Sequence, residues 1–348
     1  MSDLSSRLER PTLRDAFNRP IKDLRISVTD RCNFRCTYCM PLEEYVWIDR
    51  KEILTFEEIN RLARIFAGLG VEKIRITGGE PLVRKDLHRL IGMLSRIEAI
   101  RDICVTTNAS YLAQQIGDLA AAGLNRVNVS IDTLDRDKFK QITKRGDLDR
   151  VLEGLFAAKK LGLHPIKINA VVERGVNDED IIPLVEFSRE HGFSMRFIEY
   201  MDVGNANNWI SAKIVSKKEI LERINARYPL REVGRVDGTA PSVDYEFTDG
   251  IGDVGVIASV TEPFCSSCTR ARLTADGKLV TCLFSNEGHD LKVLMRSGAT
   301  DEELIEAISS LWSKRRDRYS DERLAAMKSP EGYDAKVHHK IEMITLGG

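Results

Sequence analysis

The sequence predicts an α/β protein: an incomplete (β/α)6-type TIM barrel followed by a smaller C-terminal α+β domain. Strand-like and helix-like stretches alternate through six units between Leu24 and Glu199. Gly70, Gly123, Gly162 and Gly192 close four of the helix-like stretches. The alternation then stops near Arg231–Val243, where Gly234, Gly238 and Pro241 interrupt a stretch with little periodicity. Six units in series imply parallel strands on a curved sheet, fewer than the eight that close a barrel. The open side must be covered by other parts of the chain or serve as the entrance for a substrate. The expected divisions are an N-terminal arm at 1–20, the partial barrel at 21–235 and the C-terminal domain at 236–348.

Residues 1–20 contain two prolines and read as a mobile or loosely docked arm. Leu24-Arg25-Ile26-Ser27-Val28 alternates apolar and polar residues, the period of a strand. The first strand is therefore placed at Leu24–Thr29. The others are placed at Lys73–Thr77, Asp102–Thr107, Arg126–Ile131, Ile166–Val172 and Met195–Glu199. Helices are expected between them at Thr55–Leu69, Asp86–Ile97, Gln114–Ala122, Leu148–Leu161 and Asp178–His191. Thr55 followed by Glu58 has capping-box spacing, in which each side chain satisfies a backbone N–H of the other. The four glycines stand where a helix C-terminus needs a left-handed residue. Past the boundary, Gly252–Val260 reads as a strand and Asp301–Arg318 as a helix. Ala271–Thr274 and Lys278–Leu283 flank Asp276-Gly277, a hairpin signal.

Charges nearly cancel, with 52 Lys and Arg against 53 Asp and Glu. No overall field selects nucleic acid, so local basic residues must build any anion site. No run of about 18 apolar residues occurs, so no membrane span is expected. Met1–Arg14 lacks both the apolar core of a signal peptide and the acid-poor character of a transit peptide. The expectation is a cytoplasmic protein with no membrane and no nucleic-acid partner. Of seven cysteines, six fall into two groups with ligand-like spacing. In a long chain that pattern points to metal in a reducing compartment rather than to disulfides. Cys104, inside Ile103-Cys104-Val105, is left over and reads as a small buried hydrophobe.

Cys32, Cys36 and Cys39 have C-x3-C-x2-C spacing, one thiolate short of a closed site. Four-iron clusters and structural zinc normally take four protein ligands. Three can hold a cluster and leave one iron open to a small molecule. A zinc knuckle completed elsewhere, or unpaired core cysteines, would leave the same pattern. Cys265 and Cys268, with Cys282 fourteen positions on, form a second trio. Zinc there needs a fourth donor, for which His289 or a cysteine of the first loop could be put forward.

Ile74-Arg75-Ile76-Thr77-Gly78-Gly79-Glu80-Pro81 is a strand running into a Gly-Gly-Glu-Pro turn. With the first trio, and Tyr38 just before its last cysteine, it resembles the radical S-adenosylmethionine (SAM) enzymes. The second trio, with Cys268-Thr269-Arg270-Ala271-Arg272-Leu273-Thr274, narrows the resemblance to the GTP 3′,8-cyclases, the molybdenum-cofactor biosynthesis protein A family. Asn128-Val129-Ser130-Ile131-Asp132, Met195-Arg196-Phe197-Ile198-Glu199-Tyr200-Met201 and the closing Gly347-Gly348 match as well. The likeness runs from about Leu24 to Gly348. The family's Thr-Thr-Asn-Gly reads Thr106-Thr107-Asn108-Ala109, a departure beside the site.

The resemblance implies two [4Fe-4S] clusters, one on each trio, with SAM on the open iron of the first. An external one-electron reductant would start SAM cleavage. The resulting 5′-deoxyadenosyl radical would remove the ribose C3′ hydrogen of GTP, and C3′ would close on guanine C8. A cyclic pyranopterin monophosphate synthase would take the product, and the protein would be a homodimer. By the same resemblance Tyr38, Gly79, Ser130 and Met201 contact SAM. Arg25, Lys73, Arg75, Thr106 and Lys167 contact GTP, with Lys73 on the face of Arg75 because it lies two residues away on a strand. Arg270 and Arg272 share a face beside Cys268 and would meet an anion or radical intermediate between the metal groups, as substrate-binding and catalytic residues; a surface pair on an edge strand is the rival explanation. The Gly-Gly tail could reach into this pocket. A peptide-modifying radical SAM enzyme with an auxiliary cluster is the alternative activity. Two zinc modules binding nucleic acid form a third reading, which the near-neutral charge opposes.

Overall fold

The computed structural model describes residues 12–330 and 332–347. Six strands run parallel and pair in chain order: β1 Asp23–Ser27, β2 Lys73–Thr77, β3 Asp102–Thr107, β4 Arg126–Ser130, β5 Lys167–Val172 and β6 Ser194–Glu199. Alternation explains them: in β1, Leu24 and Ile26 are buried while Arg25 between them is turned to the opposite face. The connecting helices are α1 Phe56–Gly68, α2 Leu87–Leu94, α3 Leu112–Ala121, α4 Arg136–Thr143, α5 Leu148–Lys160 and α6 Ile181–His191. The capping box forms, with Glu58 N donating to Thr55 Oγ1 at 3.1 Å and Thr55 N to Glu58 Oε2 at 2.8 Å. Gly70, Gly123, Gly162 and Gly192 all take positive φ. α4 escapes a reading by periodicity because its short, polar sequence buries only Phe139, Ile142 and Thr143.

The remaining elements are α7 Lys217–Asn225, β7 Leu230–Gly234, β8 Val243–Phe247, β9 Asp253–Ile257, β10 Arg270–Leu273, β11 Lys278–Val280, β12 His289–Asp290, α8 Leu291–Arg296, α9 Asp301–Ser313, α10 Tyr319–Lys328 and α11 Met343–Leu346. The stretch at 231–243 is not structureless: β7 pairs antiparallel with β8. The helix expected to run to Arg318 ends at Ser313.

The sheet does not end at β1 and β6. β10 lies parallel beside β1, and β9 lies parallel beside β6. Eight parallel strands thus stand in the order β10-β1-β2-β3-β4-β5-β6-β9, flanked by antiparallel β11-β12 and β8-β7. Val254, Val256, Ala271 and Leu273 are fully buried, so both flanking strands continue the core. Arg270 and Arg272 are accordingly not a surface pair on an edge strand; β10 is paired on both sides and Arg272 is buried.

The N-terminal arm also differs from expectation where it is described; residues 1–11 lie outside the described residues. Leu13 N donates to Leu69 O at 2.9 Å, and Asp15 and Arg19 are buried. The segment is docked because Asp15 and Arg19 are paired with buried partners rather than with water. At the other end, α10 and the tail are fastened by Asp202, which follows β6. Its carboxylate accepts from Tyr319 Oη at 2.8 Å and from Tyr333 and Arg323, and pairs with Lys340 Nζ at 3.3 Å. All three charged side chains are essentially inaccessible to water.

Candidate active site

The C-terminal ends of the parallel strands open into a cavity of about 290 Å³. All six cysteines of the two trios line it. The first trio sits on the loop after β1. Arg35 folds that loop by donating to the carbonyls of Cys32 at 2.9 Å and Phe34 at 2.8 Å, and Cys39 N donates to Cys36 O at 3.0 Å. Cys265 and Cys268 stand just ahead of β10 and Cys282 just after β11, so the antiparallel hairpin returns the third cysteine beside the first two.

The Gly-Gly-Glu turn ends β2 against the same loop. Gly79 N donates to Thr29 O and Glu80 N to Arg31 O, both at 2.8 Å. A Cβ on Gly78 would lie 2.5 Å from Thr29 O, and one on Gly79 2.4 Å from Arg31 O. The room these glycines leave is thus filled by the strand exit leading to Cys32, and they hold the cysteine loop to the sheet. Glu80, buried beneath, accepts from Thr107 Oγ1 and Asn108 N at 2.7 Å and from Leu82 N at 3.0 Å. Burial pushes its carboxyl up to about 7 against those bonds. Ala109, where the resembling family has glycine, takes φ +60, a left-handed turn that costs an alanine about 1–2 kcal/mol.

Of the residues singled out from sequence, Arg25, Tyr38, Arg75, Gly79, Thr106, Ser130, Met201, Arg270 and Arg272 line this cavity with the cysteines. Tyr38 donates its hydroxyl to Asp132 Oδ2 at 2.8 Å, and burial lifts the Asp132 carboxyl to about 6. The Thr106 hydroxyl is buried without a hydrogen-bond partner among the described residues. Arg272 Nη1 donates to Gly347 O at 2.9 Å, which brings the tail to the cavity; Gly348 lies outside the described residues. Lys73 and Lys167 do not line it. They stand with Arg126 and Arg196 around a second cavity of about 140 Å³ at the N-terminal ends of the strands, which Arg25, Arg75 and Arg270 also line. Lys73 pairs with Asp237 at 2.5 Å and Arg196 with Asp244 at 3.0 Å, whereas burial lowers Lys167 to about 8.

Across the strands, Arg75, Arg25 and Arg272 are successive Cα partners. Burial first, then Arg272, Arg75 and Arg270, hold Arg25 well below its usual range; burial and Arg270 bring Arg272 down to about 10. Like charges side by side in a sheet are destabilising, and an anion placed against this rung would relieve the repulsion.

Glu80, Asn108, Asp132 and Arg196 lie in stretches that carry the family resemblance but were given no side-chain role there, and Arg126 entered only as the start of a strand. Arg126 and Arg196 are charged residues within strands, and Glu80, Asn108 and Asp132 are polar residues just past strand ends, a signal that exists in the sequence but does not say which face each side chain occupies. Cys104 is buried on β3 between Arg75 and Arg126.

Among the described residues no group of three or more His, Cys, Asp or Glu side chains could hold a single metal ion. His289 is exposed in β12. The donor chemistry of each trio still fits a larger group. All six thiols are free. Burial pushes Cys32, Cys39 and Cys282 up to about 12 and Cys36 well above its usual value. Such thiols become thiolates only when a metal replaces their protons. Cys268 is different. Burial opposes its ionisation, but Arg270 and Arg315 outweigh it and bring the thiol to about 6.

Two family models match the chain: the Radical SAM superfamily over residues 26–188 and Molybdenum Cofactor Synthesis C over residues 193–321. A GTP 3′,8-cyclase of Acidothermus cellulolyticus is 47% identical, covering 97% of this chain and 99% of the relative. One of Staphylococcus haemolyticus is 44% identical with the same coverage. Among solved structures, Streptococcus suis SuiB bound to S-adenosylmethionine has a TM-score of 0.59 at 17% identity, over 89% of this chain and 69% of that one. Its likeness concerns the fold. Among the described residues no helix is long and apolar enough to cross a membrane.

Proposed function

The chain belongs to the GTP 3′,8-cyclases of the radical SAM superfamily, and from that premise we propose how its residues divide the work. It converts GTP to (8S)-3′,8-cyclo-7,8-dihydroguanosine 5′-triphosphate, the first step of molybdopterin cofactor formation. The observation that carries this reading is the meeting of both thiol trios and the arginine rung in one cavity. When bound, an iron–sulfur cluster with SAM supplies a carbon radical able to take a hydrogen atom from ribose C3′.

Cys32, Cys36 and Cys39 hold the first [4Fe-4S] cluster, and Cys265, Cys268 and Cys282 the second. Tyr38, Gly79, Ser130 and Met201 receive SAM at the strand ends. Arg25 and Arg75 bind the nucleotide, with Thr106 as a hydroxyl donor. The triphosphate, with about four negative charges, extends toward Lys73 and Lys167 at the opposite strand ends. Arg196 lies beside them and belongs to the same set. Arg270 and Arg272 orient the reacting nucleotide between the two metal groups. Burial of the site keeps water from the radical. The enzyme is placed with the lyases and acts in the cytoplasm as a homodimer, fed by an external reductant. A cyclic pyranopterin monophosphate synthase consumes its product.

Anaerobic incubation with reductant, SAM and GTP deuterated at C3′ tests this. Deuterium should appear in 5′-deoxyadenosine as GTP is consumed. Deoxyadenosine formed while GTP stays intact would return the peptide-modifying alternative. Cys36→Ser should abolish SAM cleavage, and Arg270→Ala should spare cleavage while impairing cyclisation.

A further inference from the structure

Three charged side chains to which the reading above gives no role are held together out of water. Asp15, Arg19 and Arg315 are each at most 2% exposed in their side chains. Asp15 Oδ2 accepts from Arg19 Nε at 2.5 Å and from Arg315 Nη1 at 3.3 Å. Each arginine then reaches one cysteine of the second trio. Arg19 Nη1 donates to the carbonyls of Cys265 at 2.7 Å and Asp317 at 2.9 Å. Arg315 Nη1 donates to the Cys268 carbonyl at 2.9 Å, and its Nη2 lies 3.3 Å from the Cys268 sulfur. Arg19 lines the cavity, and its Nη2 is buried without a hydrogen-bond partner among the described residues.

A buried Arg-Asp-Arg set is a poor way to gain stability, because apolar side chains of similar volume often do better. What only charged groups can supply is their field. Arg19, Arg270, Arg272 and Arg315 stand against Asp15 and Asp317 around this trio, a surplus of two positive charges. A four-iron core in its 2+ state with three thiolates carries one negative charge, and two after reduction. Net charge and hydrogen bonds to sulfur are the levers by which a protein sets such a potential. Closure of the C3′ radical on C8 leaves one unpaired electron on the base, which one electron from the external reductant and one proton must quench, so the potential beside the substrate is a quantity worth fixing.

We infer that Asp15, Arg19 and Arg315 are positioning residues for the second thiol trio, and that their net charge and N–H donors raise the reduction potential of the cluster it holds. The inference rests on the reading that this trio binds four-iron rather than zinc.

The test uses full-length chain with Cys32, Cys36 and Cys39 changed to Ser, reconstituted anaerobically, so that only the second trio carries metal. Iron and zinc are counted first. Zinc or no iron would end both this inference and the two-cluster reading. With about four irons per chain, the midpoint is followed by a redox titration monitored by electron paramagnetic resonance. Arg315→Met should shift it to more negative values. Asp15→Asn, which leaves both guanidiniums unneutralised, should shift it to more positive values. Arg315→Lys should fall between Arg315→Met and the parent. A purely structural clamp predicts no such opposition of sign. Unchanged midpoints in the Met and Asn variants, shifts in the same direction, or loss of iron from all three variants would each overturn the inference while leaving the two-cluster reading intact.

Discussion

Arg25 and Arg272 face one another as Cα partners across two parallel strands whose positions in the chain are almost 250 residues apart. Arg75 flanks Arg25 on its other side. Three guanidiniums on one rung repel each other until an anion arrives. Replacing the middle one relieves the repulsion and, on the proposed assignment, removes a contact to the nucleotide. Arg25→Met should leave the GTP-free protein as stable as wild type or up to about 1 kcal/mol more stable. Its affinity for GTP should fall at least about tenfold, roughly 1.4 kcal/mol. Thermal melts with and without GTP measure both. A destabilised variant with unchanged GTP affinity would mean the rung serves the fold alone.

Gly347 takes φ +72, and a Cβ there would lie 2.5 Å from Thr77 Cγ2 and 2.9 Å from Gly78 N. Gly347→Ala should therefore lift the tail away and break its bond to Arg272. GTP turnover should drop by about tenfold or more, the worth of one charge-assisted hydrogen bond, while deoxyadenosine formation persists. Full turnover in this variant would detach the tail from substrate handling.

Glu80 ties stability to pH. An ordinary glutamate ionises near 4.5, and burial raises Glu80 to about 7. Between those values the folded chain binds more protons than the unfolded one, so stability falls as pH rises through the window. The loss is on the order of 3 kcal/mol between pH 4.5 and 7.5. Glu80→Gln should have a lower baseline, because one acceptor becomes a donor, but should lose this slope. Urea unfolding at several pH values compares the two; equal slopes would refute the assignment.

Asp202 anchors the last thirty residues. Asp202→Asn keeps the shape but leaves the Arg323 and Lys340 charges buried without a counter-ion. Such a change costs about 3–5 kcal/mol. Limited proteolysis should then cut between Tyr319 and the C-terminus well before wild type is cut. Resistance equal to wild type would place the anchor elsewhere.

Much of this was legible in the sequence, and what was not has a physical cause. The six units appear because strands such as Leu24–Ser27 alternate and helices such as Phe56–Gly68 carry a cap and a terminal glycine. The cysteine spacing and the Gly-Gly-Glu-Pro turn are local and therefore readable. The pairing of β10 with β1 is not, since register between distant strands is decided by burial that no short window contains. Asp15 and Arg19 look like any charged pair until Arg315, 300 residues away, supplies the third member. Lys73 and Lys167 were rightly seen as basic strand residues, but their position at the strand starts puts them in the second cavity.

The placement of β9 and β10 has a consequence for biogenesis. When the ribosome has delivered the first 235 residues, the six parallel strands exist but both outer ones lack a neighbour. Unpaired strand edges are templates for aggregation. The strands that cover those edges end at Ile257 and Leu273, about 40 residues and roughly 2 to 8 seconds further on at ordinary translation rates, and until they arrive both edges are open. A group seated on Cys32, Cys36 and Cys39 before then would face a cavity whose opposite wall, β10 and β11, has not yet been made.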